Sequence, residues 1–116
     1  MYTGKDFPEC SPAETFDRGF DFFNDFTFDS QEEIASAVWL CEQAEGSEVD
    51  DAQAATRLTD DPPSILQSEN SGRLTLTGAR FAGMVDGVTY RLTARVTTTR
   101  GQILELYAHQ TCRARD

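Results

Sequence analysis

An all-β sandwich is the fold this sequence predicts, and three observations lead to it. Residues 15–22 and 88–109 alternate apolar and polar side chains with a period of two, the spacing of a strand with one buried face. Gly, Pro, Asn and Asp cluster between the alternating runs and mark turns. The 116 residues, with 39% hydrophobic and 10% aromatic content, suit one domain with a modest core.

The elements follow in order. Residues 1–14 contain Gly4, Pro8, Ser11 and Pro12 and read as an extended N-terminal arm, the 15–112 segment as the sandwich, and 113–116 as a C-terminal tail. In "TFDRGFDFFNDFTFDS", Phe16, Phe20 and Phe22 share one side and Asp17, Gly19 and Asp21 the other. The phase changes through Phe26 and Phe28, so a turn or bulge is expected at Asn24 and Asp25.

"IASAVWLCEQ" places Ile34 and Val38 on one face and Ala35, Ala37 and Trp39 on the other. Two apolar faces are expected of a central strand. The acidic, polar stretch 44–64 reads as a long loop with one helical turn over 50–55.

Short strands are expected at 64–66 and 72–81, with Leu74 and Leu76 alternating against threonines. In "GVTYRLTARVTTTRG", Val88, Tyr90, Leu92, Ala94, Val96 and Thr98 form a core face. Thr89, Arg91, Thr93, Arg95 and Thr97 form a wet one. Gly101 is free to turn the chain at positive φ, and "QILELYAHQTC" returns with Leu104, Leu106 and Ala108 on one face and Ile103, Glu105, Tyr107 and His109 on the other. About six to seven strands in roughly a hundred residues predict an immunoglobulin-like β-sandwich with an extended arm and a long acidic loop. Phe20, Trp39, Tyr90 and Leu106 are its expected core positions.

The net charge of −10 argues against direct contact with nucleic acid, which needs clustered Lys and Arg. Residues 1–61 carry 16 acids against three bases, and residues 62–116 four against seven. Either the fold interleaves these halves, or an acidic face of one subunit meets an Arg-bearing face of the next. No run reaches the roughly 20 apolar residues of a membrane span, and the N-terminus lacks a signal-peptide pattern, so a soluble protein with no membrane contact is expected.

Chemistry is scarce. His109 is the sole imidazole and sits on an expected strand, and Cys10, Cys41 and Cys112 lack C-x-x-C spacing. The expectation is therefore no catalytic, cofactor-binding or metal residue, with the cysteines as buried thiols. The carboxylate pairs Glu32-Glu33, Asp50-Asp51 and Asp60-Asp61 read as solvated loops, and "SEVDDAQAATRL" lacks the D-x-D-x-D-G spacing of a calcium loop.

Three places carry a family likeness: the arm and first strand "GKDFPECSPAETFDRGFDFFNDF", the "I-A-S-x-x-W" strand (Ile34, Ala35, Ser36, Trp39), and the "G-x-x-Y-x-L-x-x-x-V-T-T-x-x-G" hairpin from Gly87 to Gly101. Together they resemble the small fiber-tail adaptor proteins encoded among the structural genes of tailed bacteriophages. The acidic segment 42–61 and the extra cysteines depart from that pattern. The resemblance implies a virion structural protein, assembled in a host cytoplasm, that is homo-oligomeric in the particle. Its partners would be other virion proteins of tail, fiber, portal or capsid.

Position at the tail or head–tail junction, a decoration role on the capsid and a place in the tail tube all fit the resemblance. From a different class, a carbohydrate-binding module would use Trp39, Tyr90 or Tyr107 as stacking rings. The protein-interaction residues expected are Tyr2, Lys5 and Phe7 in the arm and Arg91 and Arg95 on the wet face.

Overall fold

The computed structural model describes residues 1–23, 31–59, 63–69 and 71–114. Six strands lie among them: β1 (Thr15–Asp21), β2 (Ile34–Gln43), β3 (Ser64–Leu66), β4 (Leu76–Ala82), β5 (Thr89–Thr98) and β6 (Ile103–Thr111). They form two antiparallel sheets, β1-β4-β3 and β2-β5-β6, so the fold is all-β. The turn expected at Asn24 and Asp25 lies outside the described residues, as do Phe26 and Phe28.

The alternation in β1 works as a strand should. Phe20 and, just beyond the strand, Phe22 are buried, while Asp17 and Gly19 face outward. Gly19 stands opposite Gly78, and a Cβ added at Gly19 would meet the Thr77 carbonyl oxygen at 3.0 Å. A side chain there would push the two strands apart.

Rings fill the space between the sheets. Phe20 stacks on Trp39 at 5.1 Å, and Trp39 meets Phe81 edge-on at 5.9 Å. The Trp39 indole Nε1 donates to Thr77 Oγ1 at 3.1 Å, which satisfies its one polar atom without water. From β5, Tyr90, Leu92, Ala94 and Val96 point into this layer, and Leu106 and Ala108 join from β6. At the hairpin, Thr98 N donates to Gln102 O and Gly101 N to Thr98 O, with Gly101 at φ +82°. The left-handed conformation expected there is present.

Two strands differ from the expectation. β2 pairs with β5 alone among the described residues and is the edge of its sheet. Its register shifts between Ile34 and Ser36, and this irregularity lets Ile34 share burial with Trp39 and Cys41 although their positions differ in parity. Val38 and Leu40 are left on the outside. The strand expected over 72–81 begins later, at Leu76, and its threonine face is the buried one: Thr75 just before β4, then Thr77, Ala79 and Phe81 face inward, and Leu74 is exposed. Thr75 and Thr77 tolerate burial because Thr75 Oγ1 donates to Asp21 and Thr77 Oγ1 donates to the Ser64 carbonyl.

Of the carboxylates expected in solvent, Glu32 is buried. Its side chain accepts from the Thr98 hydroxyl and, at 2.9 and 3.1 Å, from Gln102 Nε2, while its carbonyl accepts from Arg73. It ties the β5–β6 turn to the start of β2.

The two charge halves interleave. Arg80 pairs with Asp17 at 2.9 Å, and Arg113 with Glu9 and Glu48 at 3.0 and 3.6 Å, each pair joining an acid of the first half to a base of the second.

The N-terminal residues run parallel to β6. Tyr107 N donates to Met1 O, Thr3 N to Tyr107 O, Phe7 N to His109 O and Cys10 N to Thr111 O, at 2.9 to 3.1 Å. Parallel bridges at Tyr2–Tyr107 and Cys10–Cys112 widen the β2-β5-β6 sheet by an interrupted fourth strand. The arm also reaches the other sheet: Arg18 Nε on β1 donates to Gln110 Oε1 at 2.7 Å, and Gln110 Nε2 donates to the Pro8 carbonyl at 2.7 Å.

Candidate interaction surface

Because a strand points successive side chains to opposite faces, burying one face of β2-β5-β6 sets the composition of the other. Across that outer face the register aligns Val38 with Arg95 and Glu105, Leu40 with Thr93 and Tyr107, and Glu42 with Arg91 and His109. The arm adds Tyr2 beside Tyr107. Apolar side chains are therefore mixed with arginines where a purely solvated face would be polar: Val38 is 56% exposed, Leu40 40%, Ile103 68% and Tyr2 39%.

The aromatic end of this face is ordered by its own contacts. The Tyr107 ring lies 5.6 Å from Tyr2 and 5.9 Å from His109, and Tyr2 lies 5.6 Å from His109. The Arg91 guanidinium sits 4.5 Å over the Tyr107 ring, close enough for cation–π attraction. Asp6 holds the arm here: its carboxylate accepts from the Tyr2 hydroxyl at 2.7 Å and from His109 N at 3.2 Å, with His109 Nδ1 at 3.3 Å. Partial burial raises the Asp6 carboxyl, and the bonds from Tyr2 and His109 outweigh it and leave the pKa lowered. Arg95 donates through Nε and Nη2 to Glu105 at 3.0 and 2.8 Å.

The five residues singled out from sequence thus separate. Tyr2 and Arg91 converge on Tyr107, and Arg95 lies further along the same face. Lys5 is exposed in the arm, where it borders a cleft of about 360 Å³ between the arm and the end of β1. Phe7 turns inward instead: its ring packs on Phe20 at 5.4 Å and lies beneath the Arg18 guanidinium at 5.3 Å. Val38, Leu40 and Ile103 escaped the sequence reading as surface residues. The signal was present in the two-sided apolar pattern of β2, which fits an edge strand with an exposed apolar face as well as a central one.

Of the rings considered for sugar stacking, Trp39 and Tyr90 are buried and only Tyr107 reaches the surface.

A second polar cluster lies at the root of the acidic loop. Asp51 is buried, and its carboxylate accepts from Arg57 Nε and Nη2 at 3.0 and 3.1 Å, from the Tyr90 hydroxyl at 2.6 Å and from Gln53 N at 2.9 Å. The Arg57 bond, reinforced by Tyr90, pulls the Asp51 carboxyl down to about 2 against the effect of burial. Burial and the bond to Asp51 push the Tyr90 hydroxyl above the ordinary phenol range. Tyr90 also accepts from Val85 N at 2.9 Å. The helical turn brings Arg57 to this carboxylate; it spans Ala54–Arg57, a few residues beyond the stretch expected. With its hydrogen bonds internally matched, the cluster clamps the root of the loop.

Among the described residues no three His, Cys, Asp or Glu side chains are grouped to hold a metal ion. Comparison of the chain with protein-family models and with curated proteins finds no match.

Proposed function

We propose that this chain is a non-enzymatic virion structural protein of a tailed bacteriophage, an adaptor that joins tail, fiber or head–tail junction components through protein contacts. The observation that carries the reading is the outer face of β2-β5-β6. Tyr2, Tyr107 and Arg91 are residue types that concentrate binding energy at protein interfaces, and exposed Val38, Leu40 and Ile103 on the same face add apolar area for a partner to cover. The phage assignment itself rests on the sequence resemblance.

We further read the sandwich as immunoglobulin-like. Sheet orders β1-β4-β3 and β2-β5-β6 correspond to the B-E-D and C-F-G strands of that fold. Buried Trp39 on the third-strand equivalent supports it, as does the Tyr90 hydroxyl bonded to the backbone five residues upstream. In this arrangement the arm occupies the edge beside β6.

Quantitative mass spectrometry of purified virions tests the function. A copy number in the range of a tail or neck ring supports the adaptor reading, whereas hundreds of copies would make the chain a capsid decoration protein. Absence from the particles would overturn the virion role.

A further inference from the structure

Two of the three cysteines stand opposite each other. Cys10 N donates to Thr111 O at 3.1 Å and Arg113 N donates to Cys10 O at 2.9 Å, which places Cys112 directly across the parallel bridge from Cys10. Neighbouring strands lie about 4.8 Å apart, inside the Cα separation of about 4.4–6.8 Å that a disulfide spans. Residues opposed in a parallel ladder project to the same face, and here both thiols enter the core, 1% and 0% exposed. A third sulfur, Met84 Sδ, lies 3.9 Å from Cys10 Sγ. Cys41 sits on β2 across from Leu92, in the electrostatic neighbourhood of Asp51 and Arg57.

We propose that Cys10 and Cys112 are a disulfide-forming modification site whose oxidation fastens the N-terminal arm to the end of β6. Juxtaposition across one bridge, not sequence spacing, is what joins them. The bond would close a loop of almost the whole chain, and cross-links of that span restrict the unfolded chain most.

The chemistry is thiol–disulfide exchange with a small-molecule disulfide such as oxidised glutathione. The Cys10 thiolate attacks one glutathione sulfur and expels the other as a thiolate. The Cys112 thiolate then attacks the Cys10 sulfur of the mixed disulfide and expels the second glutathione. Two cysteine protons end on two glutathione thiols, so the protein loses two hydrogens and the oxidant gains them. Burial raises both thiols, Cys112 to about 12, so the closed pair is a weak nucleophile. Reaction therefore proceeds when the arm lifts, and formation of the bond prevents further lifting.

The test is to equilibrate the intact protein with a reduced–oxidised glutathione couple, both natively and during refolding from denaturant, and to map disulfides by peptide mass spectrometry. The expected product is a Cys10–Cys112 cross-link, two hydrogens lighter than the reduced chain, in protein with native circular dichroism. Its melting temperature should rise by at least ~4 °C and return on reduction. Cys41→Ser should form the same cross-link, and Cys112→Ala should not gain the thermal shift. A cross-link to Cys41, glutathione adducts without a cross-link, or three free thiols under both regimes would overturn the proposal.

Discussion

A carboxylate at the foot of an acidic loop is expected to be wet, yet Asp51 is buried and carries more of the architecture than its neighbour Asp50. Its carboxyl ordinarily titrates near 3.8 and is held at about 2 by Arg57 and Tyr90. A folded-state pKa below the unfolded one means the group stabilises fully above the unfolded value, and this contribution disappears as pH falls through the folded value. The Asp51 contribution should therefore fade between about pH 4 and pH 2. Asp51→Asn should lower unfolding free energy by about 2–3 kcal/mol at pH 7, because Arg57 and Tyr90 lose a charged acceptor. The difference between wild type and variant, followed by urea denaturation, should shrink across that window; a constant difference would mean the carboxylate charge is not what stabilises. Tyr90→Phe should cost about 1–2 kcal/mol by leaving Val85 N and Asp51 without their partner. Combined with Asp51→Asn it should cost less than the sum of the two, since both changes break the Tyr90–Asp51 bond. None of this was legible from the carboxylate pairs: D-D in sequence does not say which member folds inward, and Arg57 reaches Asp51 only because a helical turn brings it back.

At the scale of elements, the sequence is most informative where the two faces of a strand differ. In β5 the Thr and Arg positions contrast with Val, Tyr, Leu and Ala, and the buried face follows that contrast except at Thr93, expected wet but buried on the outer face between Leu40 and Tyr107. In β2 both faces are apolar, a pattern that fits an edge strand as well as a central one, so alternation carries no sign and does not choose the edge position, the register shift or the exposure of Val38 and Leu40. β4 misled for a related reason: a threonine can face the core if its hydroxyl has a partner, and the partners of Thr75 and Thr77 are distant in sequence. The arm shows the same limit. Its Pro and Gly content marks it as extended, but its place along β6 depends on pairing with residues about a hundred positions away. Its hold is a set of local contacts: interrupted backbone bonds to β6, side-chain bonds at Asp6 and Pro8, the Tyr2 ring on Tyr107, buried Cys10, and the Phe7 ring in the core. Phe7→Ala should remove the ring that packs on Phe20, at a cost of about 2–3 kcal/mol for a partly buried aromatic. Hydrogen exchange at Thr3, Phe7 and Cys10 amides should accelerate well before that at β5 amides. Uniform acceleration across the domain would show instead that the arm and sandwich open together.

For the whole molecule, interleaving of the two charge halves changes where assembly should be sought. Acids of the first sixty residues and arginines of the remainder already meet within one chain, as in Arg80–Asp17 and Arg113–Glu9. An acidic half docking on a basic half therefore gives way to one mixed face, where Val38 and Leu40 adjoin Arg95 and Thr93. These side chains contribute little to the fold. Arg95–Glu105 is an exposed pair worth about 0–1 kcal/mol, and Arg91 over Tyr107 adds about 0.5–1 kcal/mol. Reversing both charges with Arg91→Glu and Arg95→Glu should thus leave the domain folded, with a melting temperature within a few degrees of wild type. Placing a charge at Val38 by Val38→Glu should do the same, since no core contact is lost. If this face is the docking surface, either change should weaken incorporation into particles or self-association on gel filtration. The Val38 change should act at every salt concentration, while the arginine reversals should matter less as salt screens them. Folded variants that assemble like wild type would move the interface to another surface, with the cleft beside Lys5 and the arm the next place to mutate.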